Sequence, residues 1–180
     1  SARILFRQAL DINRAALPPD DPRVAAGVVR LGGLLRRMNR ADSAETLLRE
    51  GLALQRQILG PGHPDVAGTA RNLAALLRDQ GAFAEADTLY REALAIRRAV
   101  YGEIHPEVAT TLNSYALLLQ EQGETDRAIA TFEEFIGQLK AIYRGPHPSL
   151  AAAYHNLGTV LRDEGRLDEA AALFVESMNV

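Results

Sequence analysis

Residues 63–104 read HPDVAGTARNLAALLRDQGAFAEADTLYREALAIRRAVYGEI, and this stretch decides the architecture. Moved forward by 42 residues, His63-Pro64 falls on His105-Pro106, and after a second such step on His147-Pro148. Moved back once, it falls on Asp21-Pro22. No insertion or deletion intervenes. A fixed period between about 20 and 50 residues marks stacked supersecondary units, each packed on its neighbours, rather than a globule around one core. The chain divides into a half-unit, 1–20, full units 21–62, 63–104 and 105–146, and a shortened unit, 147–180.

Each full unit reads as two helices. In the unit at 63–104, His63 stands at the N-cap and Pro64 at the first helical position, where its fixed φ suits the helix and its missing N–H costs nothing. Val66, Ala70, Leu73, Ala74 and Leu77 then form one apolar stripe at helical spacing. Gly81 stops this helix in the left-handed region; Gly123 and Gly165 hold the same place, and Asn39 holds it in the first unit. The second helix spans about Phe83 to Tyr101, with Ala86, Leu89, Tyr90, Ala93 and Val100 as its stripe, and Gly60 and Gly102 close such helices. In the third unit the glycine slips to Gly145. The half-unit carries apolar residues at 2, 5, 6, 9, 12 and 16, so it reads as a second helix lacking its first, in a fragment of a longer protein. Nine helices are expected.

Small residues recur where two helices must meet closely: Gly32, Ala74, Ala116 and Gly158 in the first helices, Ala44, Ala86, Ala128 and Ala170 in the second. Leu48, Tyr90, Phe132 and Phe174 supply the volume beside them. The fold class read from these residues is all-α, a stacked solenoid of antiparallel helix pairs.

Composition narrows the function. The 180 residues carry a net charge of −3, of the wrong sign for bulk attraction to nucleic acid. Cysteine is absent, which excludes disulfides, thiolate metal sites and cysteine nucleophiles and fits a cytoplasmic protein. No apolar run reaches the length of a membrane span. Among the 20 basic residues only Lys140 is lysine, a bias expected of a GC-rich bacterial genome. Phosphate-loop, HExxH and GxSxG patterns are missing, so no enzyme is expected, and no cofactor. His63, His105 and His147 repeat in register, but equivalent residues of successive units stand too far apart to converge on one metal ion. They read as caps.

Leu73-Ala74, Leu77, Gly81, Ala86, Tyr90 and Ala93 together resemble the tetratricopeptide repeat. The 42-residue period, the HPDVA opening and Arg71-Asn72-Leu73-Ala74 are similar to the kinesin light chain type of that repeat. Phe135, where Ala93 stands one unit earlier, and Ser114-Tyr115, where Asn72-Leu73 stand, depart from the pattern. The resemblance implies an all-α, right-handed superhelical solenoid, and a non-catalytic protein-interaction scaffold whose first helices line a concave groove for a partner peptide or domain.

On that face the groove candidates are Arg30, Arg36, Arg71, Asn72, Arg78, Asn113, Gln120, His155, Asn156 and Arg162, above small residues such as Ala26, Gly68 and Thr110. Guanidinium forks suit carboxylates, and Asn binds a peptide backbone from both ends of its amide, so an acidic extended segment is the expected partner. Asp79, Glu121 and Asp163 directly follow the arginine row and compete for it. The alternative is a structural, oligomerising or regulatory module of a larger protein, with end-to-end self-association through the helices of Phe6 and Phe174.

Overall fold

A computed structural model describes the backbone of residues 2–180 and the side chains other than those of residues 2, 3, 5, 6, 9, 10 and 14. The described residues form nine α-helices and no strand: α1 Ala2–Ala16, α2 Pro22–Arg37, α3 Ala41–Leu59, α4 Pro64–Asp79, α5 Phe83–Tyr101, α6 Pro106–Glu121, α7 Thr125–Ile142, α8 Pro148–Asp163 and α9 Leu167–Asn179. Short turns join them, so sequential helices pack as antiparallel neighbours, α2 on α3, α6 on α7 and α8 on α9. The chain forms two compact units, Ser1–Ile96 and Arg97–Val180, and α5 contributes to both.

The helix boundaries follow from local chemistry. Each first helix opens on a proline whose predecessor caps it. Asp21 accepts from the Arg23 N–H at 2.9 Å, and the Nδ1 atoms of His63, His105 and His147 accept from Asp65, Glu107 and Ser149 N–H at 3.1, 3.2 and 3.2 Å. An imidazole nitrogen that accepts carries no proton, so in these caps the ring proton of the neutral histidine sits on Nε2. Gly81, Gly123 and Gly165 stop first helices at φ of 78°, 73° and 77°, and Asn39 does so at 56°. The slipped glycine of the third unit marks a different ending. There α7 stops at Ile142, Tyr143 is extended (φ −107°, ψ 112°) and stacks its ring on His147 at 3.6 Å between centroids.

Packing obeys the small-against-large rule. A Cβ on Gly32 would sit 3.0 Å from Leu48 Cγ, and one on Gly158 would sit 2.9 Å from Phe174 Cε1. Ala74, Ala86, Ala116 and Ala128 are sealed, as are Leu48, Tyr90 and Phe132. Three described stripe members depart from expectation. Ile12, Ala16 and Val100 are exposed, because they sit beyond the width of the stripe that their neighbours cover.

Successive second helices are also tied by charge. Within the first unit Arg49 of α3 reaches Glu85 of α5 at 2.5 Å, and Arg56 reaches Glu92 at 2.6 Å. Within the second, Arg98 pairs with Glu134 of α7. All three pairs are 36 residues apart, six fewer than the repeat. Deeper lies Arg97, 4% exposed, which pairs with Glu107 at 2.5 Å and donates to the Glu107 carbonyl at 2.8 Å and to the Thr111 hydroxyl.

Candidate binding faces on the first helices

In the first unit α2 and α4 lie side by side. Helical periodicity brings Arg30 and Arg37, seven residues apart, onto one side of α2, with Arg36 and Gly33 beside them. These residues, with Val29 and Asn72 of α4, line a cavity of about 330 Å³. A Cβ on Gly33, or on Gly68 in α4, would touch nothing. Arg71 donates to Asn72 Oδ1 at 3.4 Å, which leaves the Asn72 amide N–H groups as what it offers a ligand. Arg36 stands 3.9 Å from Asp79, whose carboxylate Arg78 already grips at 2.8 Å. The Nε atoms of Arg36 and Arg71 are buried without a hydrogen-bond acceptor.

Tyr90 of α5 is buried close to the same arginines. Burial pushes its phenol above the ordinary value; Arg78 and Arg71 oppose that rise, Asp79 adds to it and Arg36 opposes it more weakly. Arg36, Arg71, Arg78 and Asp79 thus all act on this phenol.

The second unit presents a different chemistry on α6 and α8. Thr110 and Asn113 of α6, Phe135 and Leu139 of α7, Tyr143 just after α7 and Ala152 of α8 line a cavity of about 260 Å³. Thr110 turns its hydroxyl back to the Pro106 carbonyl at 2.7 Å, so its methyl is what the cavity meets. Asn113 Oδ1 is buried there with no donor. The result is an apolar slot with one acceptor inside.

Remaining candidates divide clearly. Arg162 is bound to Asp163 at 2.7 Å, the neutralisation that the adjacent acid foreshadowed. His155 is exposed and tilts against Phe174 at 5.5 Å, while Gln120 and Asn156 are half-buried on their helices. Neither unit alone joins all ten residues; Arg30, Arg36 and Asn72 share the first cavity, and Asn113 stands in the second. Arg37 was missed, though its seven-residue spacing from Arg30 was legible; Phe135 was visible only as a departure from the repeat, and Tyr143, one repeat after Tyr101, was not singled out.

Of the proposed self-association residues, the Phe6 side chain lies outside the described residues. Phe174 faces inward onto Gly158 and His155; the exposed apolar residues of α9 are Leu167, Val175 and Met178. Among the described residues no group of histidine, aspartate and glutamate is arranged to hold a metal, and no helix is long and apolar enough to cross a membrane.

Comparison with known proteins places this geometry. The profile of the tetratricopeptide repeat matches residues 23–99, 65–141 and 107–180. No curated protein matches the sequence. Among solved structures, BtubC (BKLC) from P. vanneervenii is similar at a TM-score of 0.91 and 25% identity, over 99% of this chain and 71% of that one. Nearly identical TPR-like repeats of a putative kinesin light chain from Podosopora anserina match at 0.86 and 24%, over 99% and 84%. MamA matches at 0.71 and 20%, over 97% and 85%.

Proposed function

Because the chain belongs to the tetratricopeptide repeat family, with the fold of its kinesin light chain type, we propose that it is a non-catalytic scaffold that captures a partner's extended segment on its first-helix faces. One observation carries this reading. Both units hold an open cavity on the first-helix face, and each face has a buried polar atom lacking a counterpart, Arg36 Nε in one and Asn113 Oδ1 in the other. A buried unpaired polar group costs about 1–3 kcal/mol, and a ligand that supplies the counterpart recovers it. Helices hold both atoms in place, so little of their ordering remains to be done on binding.

The arginines of α2 and α4 favour a segment with acidic character, and the slot under Asn113 favours an apolar side chain carrying a donor. A display library of short peptides, selected against the wild type and against Arg71→Ala with Arg78→Ala, tests the reading. A recurrent motif enriched only by the wild type, at unchanged helicity, is expected. Enrichment indifferent to those arginines removes them from the groove.

Self-association through α9 is the second reading. Met178 is 77% exposed, whereas Ile136, one repeat earlier, is 7% exposed. Its mark is a mass that rises with concentration in light scattering and ceases to rise in Met178→Glu.

A further inference from the structure

We propose that the α2–α4 cavity is a receptor for a phosphorylated side chain, a phosphoserine or phosphothreonine of the partner segment. This rests on the groove reading above and specifies what the first unit selects.

Charge comes first. Helix α2 carries Arg23, Arg30, Arg36 and Arg37 and no acidic residue, in a chain whose net charge is −3. Its counterpart α6 carries Glu107 and Glu121 and no basic residue. The positive charge is local to one helix, not a property of the repeat. Three of the four arginines, Arg30, Arg36 and Arg37, line the cavity, and no carboxylate does. Asp79 stands nearest, 3.9 Å from Arg36, and it is already held by Arg78.

Pairing comes second. In this protein arginines are usually engaged: Arg49, Arg56, Arg91, Arg98, Arg162 and Arg166 each bind a carboxylate at 3.0 Å or less. Arg30 and Arg37 have no hydrogen-bond or ion-pair partner among the described residues. Arg36 and Arg71 bury Nε donors with nothing to receive them. Among the described residues these two Nε groups are donors, and the Asn72 amide adds further N–H groups. The missing component is an acceptor.

Charge number selects among acceptors. One guanidinium satisfies a carboxylate through a two-bond fork. Three arginines line one cavity, and with only Asp79 nearby, 3.9 Å from Arg36, their charge exceeds what a single negative charge neutralises. A phosphate monoester carries about −1.5 to −2 at neutral pH and presents three terminal oxygens, one for each fork. A volume of about 330 Å³ admits a phosphoryl group on a side chain.

The test uses the whole chain with arginine Nε labelled for NMR. The probe is a short blocked peptide, Ala-phosphoserine-Ala, beside its Ser and Glu counterparts. Expected are saturable shifts of the Arg30, Arg36 and Arg37 Nε–H signals, with the phosphopeptide bound at least about tenfold tighter than the Glu peptide. Arg30→Gln and Arg37→Gln, both exposed and unpartnered, lose that preference without loss of helicity, while Arg162→Gln keeps it. Equal affinity for the Glu peptide overturns the phosphate specificity and leaves the groove reading intact. Absence of binding overturns it too, and peptides enriched by display then show separately whether the groove exists. Tighter binding to a single-stranded oligonucleotide or to vesicles rich in phosphoinositide than to the phosphopeptide also overturns the proposal.

Discussion

Arg97 offers a direct test of what holds the second unit together. The side chain is 5% exposed, while that of its partner Glu107 is 48% exposed. One repeat later the same position is Leu139, also buried, and one repeat earlier it is Gln55. The chain thus contains its own apolar replacement. Three substitutions separate the contributions. Arg97→Ala removes the packing of the stem and the bonds to the Glu107 carbonyl and the Thr111 hydroxyl. The cavity left by the stem costs about 2–5 kcal/mol, while water reaches the remaining Glu107 carboxylate and the lost pair adds little, so about 3 kcal/mol is expected. Arg97→Leu restores packing and leaves only the exposed carboxylate unpaired, so it is expected within about 1 kcal/mol of wild type. Glu107→Gln keeps an acceptor and falls within about the same range. Native-state hydrogen exchange of the first α6 amides reads this locally. Arg97→Ala is expected to lower their protection roughly 100-fold, and Arg97→Leu by less than roughly fivefold. An Arg97→Leu as unprotected as Arg97→Ala refutes the argument, because the charge, not the packed volume, would then carry the stability.

Two further outcomes test packing and capping. Gly158→Ala places a Cβ 2.9 Å from the Phe174 ring and is expected to destabilise by about 1–3 kcal/mol. Gly68→Ala meets nothing and is expected to stabilise by about 0.4–1 kcal/mol; urea melts of the pair check both, and equal signs contradict the contact geometry. Asp21, held by Arg23, has its pKa lowered from 3.8 to about 2. A depressed carboxylate contributes stability that is full above its unfolded value and lost as pH falls through the folded one. The difference between wild type and Asp21→Asn is therefore expected to be constant above about pH 5, to shrink below pH 4 and to vanish near pH 1; a difference that persists there excludes the carboxylate as its source.

Much of the fold was legible because its signals are local. Proline after a capping side chain starts a helix whatever surrounds it, and Gly81, Gly123 and Gly165 take the positive φ that their position at the helix end requires. The pairing of Gly32 with Leu48 and of Gly158 with Phe174 was legible because a fixed period transfers one contact to every unit. The third unit was harder to read. Gly145 suggested a slipped glycine turn, whereas α7 closes on an extended Tyr143 stacked over His147. Ile12 and Val100 were assigned to stripes and are exposed, since periodicity gives the direction of a face but not the reach of its neighbour.

The candidate site was legible in part. The sequence alone determined the period, the helix pairs and which first-helix positions carry small residues and which carry arginine. Tertiary structure alone decided how each arginine is used. Arg49 and Arg56 bridge to helices 36 residues away, Arg97 is buried against α6, Arg162 is held by the next residue, and Arg30, Arg36 and Arg37 surround a cavity that contains no carboxylate. The reason is physical. Backbone periodicity is set within a few residues, while a long cationic side chain selects its partner by reach in three dimensions, and identical residues in successive repeats meet different neighbours.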